Sequence, residues 1–104
     1  MEKVIRDGKV AVLISRGFGA GWSTWNTEFP ELIFHPKIVE LVEQDKATTI
    51  LEDDWIAENL GHRVYTGGAL DLEIVWLPEG TKFMINEYDG SESIITLDDL
   101  VFTA

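Results

Sequence analysis

Within ten residues the chain gathers Arg16, Gly17, Gly19, Gly21, Trp22 and Trp25, in the string Ser15-Arg16-Gly17-Phe18-Gly19-Ala20-Gly21-Trp22-Ser23-Thr24-Trp25-Asn26. These residue types at this spacing suit the capture of a compact anion that carries a planar ring. Glycines remove side chains, so backbone amides from Gly17, Phe18, Gly19 and Gly21 could converge on a phosphate or carboxylate. Arg16 would add a fixed cation, and Trp22 or Trp25 a flat face for a base. In a helical turn the two indoles would share a face and clamp the ring, while Ser23, Thr24 and Asn26 read its polar edges. The structural alternative is a bend that needs positive φ and close packing, with both tryptophans in the core. Tyr65-Thr66-Gly67-Gly68-Ala69 is a second glycine turn. Tyr65, Gly67 and Gly68 join the candidate site if their strand neighbours the first, and a plain hairpin accounts for them equally well.

Neither common nucleotide motif is present. The dinucleotide fingerprint needs a third glycine and an immediate helix, whereas Trp22 stands there and Ser23 to Phe29 has no helical stripe; no Lys-Ser or Lys-Thr follows the glycines as a phosphate-binding loop requires. Asp53-Asp54 and Asp98-Asp99 lack the spaced oxygen ligands of a calcium loop, and His35 and His62 lie in no metal-binding pattern, so no metal or cofactor is assigned. Ser91 and Ser93, in Asp89-Gly90-Ser91-Glu92-Ser93, lack the glycines of a nucleophile elbow, and an Asp-Gly turn accounts for them. His35 or His62 could serve as a base only through a pairing in space that sequence does not display.

The elements that must position these residues are legible in the periodicity. Glu2 to Arg6 and Lys9 to Ser15 are β-prone runs joined by Asp7-Gly8, a pair suited to a type I′ turn. Val10-Ala11-Val12-Leu13-Ile14 is continuously apolar, which predicts a central strand covered on both faces. Arg16 to Phe29 is a long loop. Pro36 opens a helix from His35 to about Gln44, and a second is predicted from Thr49 to Leu60, with Leu51, Trp55, Ile56 and Leu60 buried, Glu52, Asp53 and Asp54 in its first turn and Gly61 ending it. Strands follow at His62 to Tyr65, Leu70 to Leu77, Lys82 to Tyr88 and Glu92 to Phe102. The fold class is α+β: one antiparallel or mixed sheet, made of an N-terminal hairpin and a C-terminal meander, with two short helices, in a single domain over residues 1–104.

Composition bounds the rest. The chain has 104 residues, 45% apolar and 26% charged, with no cysteine, so its core rests on packing alone and a reducing compartment suits it. Nineteen acidic against eight basic residues give a formal charge of −11, which repels extended nucleic acid and anionic membrane. No apolar run approaches the roughly 20 residues of a membrane span, and the expected location is cytoplasmic.

The strings Gly17-Phe18-Gly19-Ala20-Gly21-Trp22, Tyr65-Thr66-Gly67-Gly68-Ala69, Pro78-Glu79-Gly80-Thr81-Lys82-Phe83 and Glu87-Tyr88-Asp89-Gly90-Ser91-Glu92-Ser93 resemble a group of short proteins encoded by tailed bacteriophages. The resemblance spans nearly the whole chain, implies an infected bacterial host as the setting and carries over no catalytic residue. In that setting the leading expectation is a non-enzymatic binder that sequesters a small nucleotide-derived ligand as a counter-defence sponge. A compact anion could be held locally despite the charge, because distant carboxylates are screened beyond roughly 8 Å. The alternatives are a protein-interaction module that docks on a host protein through Trp22, Trp25, Phe18 and Phe29, with an acidic surface imitating nucleic acid; a virion accessory protein; and, third, a small hydrolase. A homo-oligomer is compatible with the strand edges that so small a sheet leaves.

Overall fold

The computed structural model describes residues 1–100 and 104, without the side chains at positions 98 and 100. Strands β1 (Ile5–Arg6), β2 (Lys9–Ser15) and β3 (Leu72–Pro78) form an antiparallel sheet in the order β1-β2-β3. Helices α1 (Pro36–Glu43) and α2 (Trp55–Leu60) lie between β2 and β3 in sequence, and β4 (Phe83–Tyr88) and β5 (Ser91–Thr96) form a separate two-stranded sheet. The α+β class holds; the expected single sheet is two. The reason lies in the alternation of the hairpin, where Phe83, Ile85 and Ile94 share one face. That face packs on Val10, Val12 and Ile14 of β2 rather than extending the sheet edge to edge.

β2 is central and buried on both sides, as its unbroken apolar run predicts. Ala11 and Leu13 face a cluster with Trp22, Leu32, Ile38, Val39, Ile50 and Ile56, while Val10, Val12 and Ile14 face Phe34, Leu77 and the hairpin. Helix α1 begins at Pro36 with the His35 carbonyl accepting from the amides of Ile38 and Val39. The predicted helix over Thr49 to Leu60 is instead a 3-10 turn at Ala47–Leu51 followed by α2. Asp54 has φ +63°, so the backbone leaves helical geometry where an unbroken helix would run, and Glu52 to Asp54 sit in the break rather than in a first turn. Leu51 is consequently exposed, and Gly61 at φ +82° ends α2 as expected. His62 to Tyr65 forms no strand, β1 is shorter than Glu2 to Arg6, and of the strand expected over Glu92 to Phe102 only the part to Thr96 forms, with Val101 and Phe102 outside the described residues.

His35 is half-buried, and its pKa lies below the usual histidine value: burial desolvates the imidazolium and Lys37 adds like charge, against a partial opposing pull from Glu2 and Glu31. The native state therefore binds this proton less well than the unfolded chain. The stability it contributes is complete above the ordinary value of 6.5 and is lost as pH falls from there through the lower native value. Urea denaturation at about pH 7.5 and about pH 5 should show a smaller acid loss for His35→Gln than for the parent; equal losses would rule out His35 as a contributor.

Candidate functional site

The glycine-rich loop does gather backbone amides around a carboxylate, and that carboxylate belongs to the protein. Glu92, on β5, is 1% exposed. Its Oε1 accepts from the Ser15 amide at 2.8 Å, and its Oε2 from the amides of Trp22 at 3.0 Å and Thr24 at 3.1 Å and from the Thr24 hydroxyl. A buried carboxylate survives only when its lone pairs are served in this way. Glu92 and Ile94 are two residues apart and so share the inward face of β5, which is the period-2 signal that could have marked Glu92 in the sequence.

Three glycine segments meet here. The Ser15 hydroxyl donates to the Ala20 carbonyl, the Gly19 amide to the Asp89 carbonyl, and the Tyr65 hydroxyl to the Gly19 carbonyl at 3.4 Å. A Cβ on Gly68 would overlap the Ala20 carbonyl oxygen and lie 2.7 Å from that of Gly21, and one on Gly90 would lie 2.5 Å from the Ala20 nitrogen. The two glycine turns singled out in the sequence are thus packed backbone to backbone, with the Asp89-Gly90 turn as a third member. Gly19, by contrast, has φ +70° and open space around its Cβ position. Gly68→Ala should cost about 1–3 kcal/mol through overpacking against an unyielding backbone, and Gly19→Ala only the roughly 1 kcal/mol of a left-handed alanine. Paired urea melts would expose a reversed order, which would refute the close approach.

The sequence-predicted residues separate into an interior and a surface group. Trp22 is fully buried, with its Nε1 donating to the Leu32 carbonyl at 3.0 Å, so the base-stacking role considered for it is corrected to a packing role. Asn26 is buried too: its Nδ2 donates to the Trp22 and Tyr65 carbonyls, each at 3.0 Å, and its Oδ1 accepts from the Tyr65 amide at 2.8 Å, which ties the two loops together. Trp22 and Trp25 do not share a face. Trp22 sits at φ −114°, ψ −104°, outside the 3-10 turn Ser23–Trp25, and this turns one indole inward and the other out. Ser23 and Thr24 are half-buried, and Gly17 packs closely on Asp71. Arg16 pairs with Glu73 at 2.5 Å on the surface and borders a cleft that Asp71 also lines, so its guanidinium is already engaged by a carboxylate of the chain itself.

Among the described residues four aromatic rings are outward. Trp25 and Tyr65 lie 5.3 Å apart at a 44° tilt, and Phe18 meets Tyr88 edge to face at 6.3 Å. Phe18 is 71% exposed, Tyr88 75% and Trp25 40%. Glu87 lies against Trp25: its Oε1 accepts from the Gly90 amide at 2.5 Å and the Trp25 indole nitrogen at 3.4 Å. Tyr88 and Glu87 carried no sequence signal beyond the alternation of β4. Phe29, expected at the surface, is half-buried and stacks on His62 at 3.9 Å, while His62 Nε2 reaches Glu31 at 3.1 Å. Asp99 accepts from the Thr96 amide at 2.9 Å; the side chain of Asp98 lies outside the description. Among the described residues no cluster of three metal-ligating side chains is present, and no helix is long and apolar enough to cross a membrane.

Comparison with protein-family models, with curated proteins and with solved structures found no match to this chain.

Proposed function

We propose that this protein is a non-catalytic docking module for a basic protein partner, acting in the cytoplasm of the bacterial host that the phage-like strings imply. The observation that carries the reading is the exposed Trp25–Tyr65 pair with the Glu87 carboxylate against the Trp25 indole, joined through Gly19, whose carbonyl accepts from Tyr65, to the exposed Phe18–Tyr88 pair. Exposed aromatic rings in one area are the common anchors of binding surfaces. A carboxylate beside an exposed indole suits arginine or lysine, through an ion pair and cation–π contact. The formal charge of −11 draws such a partner in and keeps acidic ones away.

Titration with an arginine-rich peptide, its lysine counterpart and a glutamate-rich control, followed by the Trp25 indole resonance, tests this. The two cationic peptides should shift Trp25, Tyr65 and Tyr88, the acidic one should not, and Trp25→Ala or Tyr88→Ala should each weaken binding about tenfold or more without loss of fold. No shift at millimolar cationic peptide would end the proposal.

A second reading, sequestration of a nucleotide-derived ligand, draws support from the exposed Trp25–Tyr65 pair beside the Gly67-Gly68 turn. It is the weaker of the two, because the amides of Trp22 and Thr24 already serve Glu92 and that of Gly19 serves Asp89. Calorimetry against cyclic dinucleotides and ADP-ribose derivatives separates the readings: heat of binding there, with none from cationic peptides, would reverse their order.

A further inference from the structure

The geometry points to how the basic partner is held: we propose that it adds an extended strand to the outer edge of β4, an inference that rests on the docking reading above. The turn between β4 and β5 is Asp89-Gly90, with φ +50° and +87°, a two-residue connection of type I′. In such a hairpin the flanking pair, Tyr88 and Ser91, exchanges both hydrogen bonds, and bonded and non-bonded pairs then alternate. The backbone groups of Met84, Asn86 and Tyr88 therefore point to β5, and those of Phe83, Ile85 and Glu87 point away from it. Among the described residues β4 pairs with no other strand, and these outward groups have no hydrogen-bond partner. An unpaired row of this kind is a template for another strand.

What lies beside that edge specifies the strand. A groove of about 310 Å³ runs along it, with Thr24, Thr27, Pro30 and Ile33 facing Phe83 and Ile85. Next along β4 come Glu87 and Trp25, so the apolar groove and the aromatic–carboxylate surface are contiguous over one strand length. Residues of an incoming strand that hydrogen-bond opposite Ile85 and Glu87 place their side chains on the same face as those two, and they are two positions apart. The one opposite Ile85 enters the apolar groove. The one opposite Glu87 meets a carboxylate whose Oε2 accepts no hydrogen bond among the described residues, beside the Trp25 ring. For antiparallel addition the partner thus reads arginine or lysine, any residue, then an apolar residue. A second copy of β4 fits less well, since any register that sets Ile85 against Ile85 sets Phe83 against Glu87, and both bodies carry −11.

The probe is a capped heptapeptide of threonines with arginine second, isoleucine fourth and valine sixth, and the readout is amide hydrogen exchange by NMR. At millimolar peptide the amides of Phe83, Ile85 and Glu87 should slow several-fold; the same peptide N-methylated at isoleucine should lose this protection, and glutamate in place of arginine should weaken binding about tenfold. If the Trp25 indole shifts while those three amides exchange as before, strand addition is refuted and docking stands. If neither responds, both fall. Protection that grows with protein concentration in the absence of peptide would assign the edge to a second copy and overturn the proposal.

Discussion

Glu92→Ala should lower unfolding free energy by about 3 kcal/mol or more, because it strands the buried amides of Ser15 and Trp22 together with the half-buried amide and hydroxyl of Thr24. Each buried donor left without an acceptor costs about 1–3 kcal/mol, and a water admitted to the vacated space would recover part of that. Against a total of about 5–15 kcal/mol for a domain, the variant should be marginal at room temperature. Glu92→Gln is the informative companion. Its single carbonyl oxygen can serve the Trp22 and Thr24 donors at the Oε2 position, but its amide group then faces the Ser15 amide, donor against donor. An intermediate loss is expected, and the order parent, Gln, Ala in urea midpoint is the signature of a carboxylate acting as an internal counter-group. A loss below about 1 kcal/mol for the alanine variant would mean that these bonds do not hold the loop.

Trp22→Ala should open a large packing defect, at about 3–5 kcal/mol, since it empties the biggest fully buried side chain among the described residues and orphans the Leu32 carbonyl. Trp22→Phe keeps most of the volume and loses the indole hydrogen bond, so it should cost about half as much. Trp25→Ala removes a ring that is 40% exposed and should cost little stability while removing cationic-peptide binding. The contrast is the test. If Trp22→Ala reduced binding and left the melting curve unchanged, the division of the two tryptophans between interior and surface would be overturned.

That division was beyond the reach of the sequence for a definable reason. Two indoles three residues apart look equivalent by spacing, and the non-helical backbone at Trp22 (φ −114°, ψ −104°) sends them in opposite directions. The acceptor that holds the Trp22 amide lies 70 residues away, and no local pattern reports it. Local signals performed well where the cause was local: the Asp7-Gly8 and Asp89-Gly90 turns, the doubly covered β2, Pro36 opening α1 and Gly61 closing α2 all form. They failed at Glu52 to Asp54, where apolar periodicity continues through a break made by a left-handed aspartate, and at the sheet count, because alternation in β4 and β5 shows that one face is buried without saying against what. The glycines were legible as close-approach residues. What they approach is other backbone at Gly68 and Gly90, and the chain's own side chains elsewhere: Asp71 at Gly17, Trp25 at Gly21 and Tyr65 at Gly67.

The distance in sequence between Glu92 and the amides it serves sets a schedule for synthesis. The carboxylate leaves the ribosome 70 residues after Trp22, a wait of several seconds at about 5–20 residues per second. Until then the Ser15 and Trp22 amides have only water as a partner, and Phe18 and Trp25 are not yet set beside Tyr88 and Glu87. On the docking proposal, a nascent chain that has not yet reached Glu92 lacks the finished surface, and recognition would begin only once the β4–β5 hairpin has closed.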